Sequence, residues 1–100
     1  MTAPIRVGID WDAARQWADK HRMNAGVVQA GLVMAMQDLR RMVGKAKGAR
    51  YYLTATDALR LNAELGHRVP LIRAGELLCT FRSYPVFITD KPESWVEMAA

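Results

Sequence analysis

Hydrophobic positions in this chain recur with two different periods, and the switches between them mark out the elements. Ile5, Val7 and Ile9 alternate with Arg6 and Gly8. A period of two puts alternate side chains on one face, so this stretch predicts a short strand or extended arm ending at Asp10. The period then lengthens. From Asp12 to Arg22, Ala14, Trp17, Ala18 and His21 share one side, with acids in the first turn and bases in the last, as a helix dipole favours. Asp10 or Asp12 caps this helix, and Asn24-Ala25-Gly26 punctuates it. A second, longer helix runs to about Val43, because Val28, Leu32, Met36, Leu39 and Val43 step by three or four along one stripe. Val27, Val33 and Met34 widen the stripe nearly round the N-terminal half. That half is expected to be buried on several sides or covered by another subunit.

Gly44 and Gly48 end the second helix in a basic loop. Arg50 to Ala55, with Tyr51, Tyr52, Leu53 and Thr54, has the β-branched and aromatic content of a strand. Thr54-Ala55-Thr56-Asp57 is a loose capping box for a third helix. Leu59, Asn62 and Leu65 fall at helical spacing, and Gly66 suits the left-handed residue after its end. Val69 to Ile72 is expected to be extended and Ala74-Gly75-Glu76 a turn. Leu77, Cys79 and Phe81 alternate with Leu78, Thr80 and Arg82, which predicts a strand with the first three buried. Ser83-Tyr84-Pro85 breaks it, Val86 to Thr89 makes the last strand, and Ser94 with Glu97 caps a final helical turn carrying Trp95 and Met98. The fold class predicted is α+β: two to three helices packed on a small, mainly antiparallel sheet, as a single domain over residues 1–100.

Composition narrows the setting. One hundred residues, 51% apolar and 24% charged, is the balance of a globular chain rather than a disordered one. The single cysteine, Cys79, permits no internal disulfide, which leaves a reducing cytoplasm as the expected compartment. The longest apolar run, Ala25 to Met36, is interrupted by Gln29 and falls short of the ~18–20 residues that a bilayer span needs, so no membrane is expected.

The stretch Val7-Gly-Ile-Asp-Trp-Asp12 places aspartates after a short apolar run, where some nucleases and phosphotransferases keep a metal-binding carboxylate. The chain enters a helix at once, and capping with first-turn acidity accounts for Asp10 and Asp12. His21 and His67 are the only histidines, too few for a usual metal site. Cys79 alternates with apolar neighbours and reads as a small buried hydrophobe. No phosphate-binding glycine motif occurs. These residues predict no enzyme, no cofactor and no metal.

Two binding surfaces remain. The excess apolar width of the second helix predicts a protein partner or a homo-oligomer, with Trp11, Trp17, Val27, Val28, Leu32, Met34 and Met36 as the interface. The net charge of +4 is concentrated in Arg40, Arg41, Lys45, Lys47 and Arg50, with no carboxylate between Asp38 and Asp57. With Tyr51 and Tyr52 just beyond, this segment gives the alternative reading, a small nucleic-acid-binding regulator. One tyrosine of the pair is expected in the core.

Tyr52-Leu53, Leu59-Arg60-Leu61, Gly66, Tyr84-Pro85-Val86, Ile88-Thr89-Asp90 and Pro92 follow an order that resembles part of the peripheral domain of tailed-phage major capsid proteins, over roughly residues 50–92. Capsid subunits of that family are several times longer. The resemblance therefore implies a reduced or related module: a non-enzymatic, phage-related structural or protein-interaction protein, in the host cytoplasm or the virion, without catalytic residues.

Overall fold

Five strands, β1 (Ile5–Gly8), β2 (Arg50–Thr54), β3 (Leu77–Phe81), β4 (Tyr84–Thr89) and β5 (Trp95–Met98), join in one sheet in the order β1-β5-β2-β4-β3. The computed structural model describes residues 3–20, 26–67 and 73–99. His21, Arg22, the Asn24-Ala25 punctuation and the extended segment 69–72 read from the sequence lie outside these residues. Among the described residues only the β2–β4 ladder is parallel, and the other three are antiparallel. A tight hairpin cannot make a parallel pair. Here the chain leaves β2 through helix α3 (Ala55–Leu65) before it returns along β3 and β4.

Helix α2 (Val27–Val43) touches β1 and β5, α3 touches β2 and β4, and α1 (Trp11–Lys20) packs on α2. The core lies between this helical layer and one face of the sheet. It holds Val28, Leu32, Met36 and Leu39 of α2, Ala58 and Leu61 of α3, and Tyr51, Leu53, Val86, Ile88 and Val96 of the strands. Each fully buried leucine contributes roughly 1.5–3 kcal/mol relative to an exposed one. The fold is thus the α+β arrangement that the periodicity predicts, with three helices on a five-stranded mixed sheet.

The local signals read from the sequence have identifiable partners. The Asp10 carboxylate accepts the Ala13 amide at 3.0 Å and caps α1. Thr54 Oγ1 accepts the Asp57 amide at 3.2 Å, while Gly66 closes α3 in the left-handed conformation (φ 72°). The other half of the capping box is relayed. The Thr54 amide donates to Ser94 Oγ at 3.0 Å, and Ser94 donates on to Asp57 Oδ2 at 2.6 Å.

Three expectations are corrected. Val86 to Thr89 is not the last strand: residues 95–98 form β5 in place of a helical turn. Slotted between β1 and β2, β5 satisfies its backbone on both sides, which one isolated helical turn could not do. Leu77 is 57% exposed instead of buried with Phe81. An irregularity between Leu77 and Cys79 shifts the register, and Leu77 pairs with Phe87. The stripe of α2 is covered only in part, since Val27, Val33 and Met34 stay half-buried. Val28, Leu32 and Met36 are buried against the chain's own sheet and α3.

Candidate functional site

Opposite the helices, the sheet carries no covering layer among the described residues, and strand register decides what that face presents. On β2, Tyr51 and Leu53 point into the core, so Arg50, Tyr52 and Thr54 point away from it. Tyr52 pairs with Phe87 of β4 on one side and Trp95 of β5 on the other. Phe87 in turn faces Leu77, and Trp95 faces Gly8. A row Gly8–Trp95–Tyr52–Phe87–Leu77 therefore crosses all five strands. Beside it runs a second row, Arg6–Glu97–Arg50.

The aromatic rings are in contact. Tyr52 stacks on Trp95 with centroids 4.8 Å apart and 15° between planes, and on Phe87 at 5.7 Å and 26°. Guanidinium groups lie over the two end members: Arg6 is 4.7 Å from the Trp95 ring and Arg50 5.6 Å from that of Phe87. Stacking and cation–π attraction keep these side chains upright on an otherwise bare face. Glu97 Oε1 fixes one end, accepting from Arg6 Nε at 3.0 Å and from Trp95 Nε1 at 2.5 Å. Alongside Tyr52 and Trp95 is a depression of about 460 Å³, also walled by Gly75, Thr89 and Lys91.

The basic segment read from the sequence does not stay together. Arg50 stands on the open face, and Lys45 and Lys47 are exposed in the loop leading into β2. Arg40 points elsewhere and donates to the Tyr84 hydroxyl at 3.1 Å, while Arg41 pairs with Asp38 at 3.3 Å on the helix surface. Tyr51 goes to the core and Tyr52 to the open face. Of the interface residues predicted, Trp11 is half-buried against the main core, and Trp17, Val27 and Met34 are half-buried around Ala14, Ala18 and Ala30 at the α1–α2 seam.

Sequence reasoning missed Arg6, Phe87 and Trp95. The signal lay in Trp95-Val96-Glu97-Met98, which alternates like a strand, but the Ser94/Glu97 capping pattern outweighed it. Among the described residues no three His, Cys, Asp or Glu side chains gather in a metal-binding group, and no helix is long and apolar enough to cross a membrane. Burial pushes the Cys79 thiol pKa up, away from the reactive thiolate. No family model, curated protein or solved structure matches the chain.

Proposed function

We propose that the open sheet face binds single-stranded nucleic acid. The observation that carries this reading is the continuous Trp95–Tyr52–Phe87 stack with Arg6 and Arg50 over its ends. Bases are recognised without sequence preference by aromatic rings, and phosphates by guanidinium groups within reach of the same rings. The arrangement suggests how the two act together. Swinging Arg6 or Arg50 toward a phosphate uncovers the outer part of a terminal ring, on which a base can stack. A net charge of +4, with Lys45 and Lys47 in the loop that feeds β2, supplies long-range attraction.

The test is a titration of single-stranded DNA and RNA oligonucleotides across a salt series. Binding should weaken steeply with salt, and Phe87→Ala, which removes an end ring of the stack, should weaken it by about 1–3 kcal/mol for the base stacked there. Absence of binding at low salt, or a folded Phe87→Ala protein that binds like the wild type, would overturn the reading.

A second reading, docking of a partner protein or a second copy, draws on Trp17, Val27 and Met34, which leave a half-buried apolar flank at the α1–α2 seam. A phage-related structural role belongs with that reading. Light scattering at two concentrations separates it, since self-association through this flank raises the mass with concentration, and Met34→Glu should abolish the rise.

A further inference from the structure

On the helix side of the sheet, at the end of the β3–β4 hairpin, a small cavity of about 90 Å³ lies between α2 and the hairpin turn. Its polar walls are Gln37 and Arg40 from α2, Arg82 from the turn, Tyr84 from β4 and Tyr51 from β2. We propose that this cavity is a binding site for a phosphate group.

The walls are rich in donors and hold no acid among the described residues. Arg40 Nη2 donates to the Tyr84 hydroxyl at 3.1 Å, which leaves the phenolic hydrogen of Tyr84 free to donate in its turn. Neither Arg40 nor Arg82 has an ion-pair partner among the described residues. Both nonetheless act on one point, because each guanidinium pulls the Tyr51 phenol pKa downward against the larger opposing effect of burial. Both guanidinium groups line the same small, carboxylate-free cavity, where an oxyanion can accept from each of them.

The backbone adds a second observation. Arg82 and Ser83 both hold positive φ (48° and 75°), a conformation that neither side chain favours. The hairpin keeps an arginine where asparagine or glycine would fold more easily, and that arginine reaches the cavity. The two-residue turn itself requires positive φ at both positions, so what is kept against local preference is the arginine side chain that lines the cavity.

Tyr51 and Tyr52 project to opposite sides of β2, so this site stands apart from the aromatic face and does not rest on the nucleic-acid reading. A phosphate group can come from a free phosphorylated compound or from the end of a strand. The experiment is a titration of isotope-labelled protein with inorganic phosphate at fixed ionic strength, followed by amide shifts. Saturable shifts confined to Gln37, Arg40 and residues 82–84, with a Kd on the order of 1 mM, are expected. Arg82→Asn removes the charge yet suits positive φ, so the protein should fold at least as well while the Kd rises about tenfold or more. No saturable shift, an equal response to chloride, or unchanged affinity in folded Arg82→Asn would each overturn the proposal. A 5′-phosphorylated thymidine oligonucleotide compared with its 5′-hydroxyl form then identifies the source. Preference for the former assigns the site to strand ends, and parity assigns it to free phosphates. Tyr52→Ala should leave phosphate binding intact, so failure of the aromatic face and failure of this site are separable.

Discussion

Glu64 of α3 sits against Gly26 and closes the N-terminus of α2, a helix to which it does not belong. Its carboxylate accepts the amides of Val28 at 2.9 Å and Gln29 at 3.1 Å, in the place where a serine or aspartate would usually cap. Gly26 makes room for it: a Cβ there would overlap the Glu64 side chain, and the backbone holds φ at 90°. One acid thus satisfies two helix-end donors, complements the dipole and ties α2 to α3. Glu64→Ala should destabilise the protein by about 1–2 kcal/mol, and Gly26→Ala by at least as much. Because both changes remove the same contact, the double variant should lose less than the sum, read from urea unfolding of all four proteins.

The Thr54–Ser94–Asp57 relay gives the next prediction. Ser94 is buried and uses its one hydroxyl both to accept the Thr54 amide and to donate to Asp57. Ser94→Ala leaves both groups without that partner at the junction of β2, α3 and β5. A loss of about 1–3 kcal/mol is expected in chemical unfolding. An unchanged midpoint would mean that water replaces the hydroxyl without cost.

Asn62 runs the other way. It is buried to 2% exposure in α3, and its Nδ2 has no hydrogen-bond partner among the described residues. An unmet donor in an apolar surrounding is costly, so Asn62→Leu, of similar size, should be neutral or should stabilise by about 1 kcal/mol. The measurement is the urea midpoint at constant m-value. A clear loss would show that the amide is needed where it stands.

These three sites also show what was and was not legible in the sequence. The stripe of α2 could be read because helical period is local: Val28, Leu32, Met36 and Leu39 announce one another within a few turns. Thr54 and Gly66 could be read as helix ends for the same reason. Glu64 could not be read as the cap of α2, since nothing local connects it to Val28, 36 positions away. The aromatic row needs β2, β4 and β5 brought into register, so Tyr52, Phe87 and Trp95 reveal nothing as neighbours in sequence. Alternation puts Leu77 on the buried face because it carries no mark of the bulge between Leu77 and Cys79. Much of the apparent surplus of apolar surface on α2 came from treating the helix alone, although Val27, Val33 and Met34 stay half-buried. The sheet and α3 cover its stripe, and Trp11 and Ile9 close on Gly31, where a Cβ would stand only 2.7 Å and 2.8 Å from them.

The arginines of the open face predict a salt effect separable from stacking. Arg50→Ala keeps the three rings but removes one cation, so oligonucleotide binding should weaken and the dependence of log K on log salt should become shallower by roughly 0.7. Phe87→Ala should instead weaken binding with little change of slope. Equal slopes in the wild type and Arg50→Ala would remove Arg50 from the interface.

The last prediction concerns Tyr51 and alkaline pH. Burial, reinforced by the nearby Tyr84, pushes its phenol pKa up to about 12 against the partial relief given by Arg40 and Arg82. An unfolded tyrosine loses its proton near pH 10. Between about pH 10 and 12 the folded state therefore holds a proton that the unfolded state has released, and stability falls as pH rises through that window. Below pH 10 both states keep the proton and the effect vanishes. The loss attributable to Tyr51 should be on the order of 2 kcal/mol across the window. The comparison that isolates it is wild type against Tyr51→Phe, which cannot ionise. Their difference in unfolding free energy should be flat up to pH 9 and should then shift in favour of Tyr51→Phe as the pH approaches 12. A constant difference throughout would mean that Tyr51 ionises as readily in the fold as out of it, and that the core does not exclude the phenolate charge.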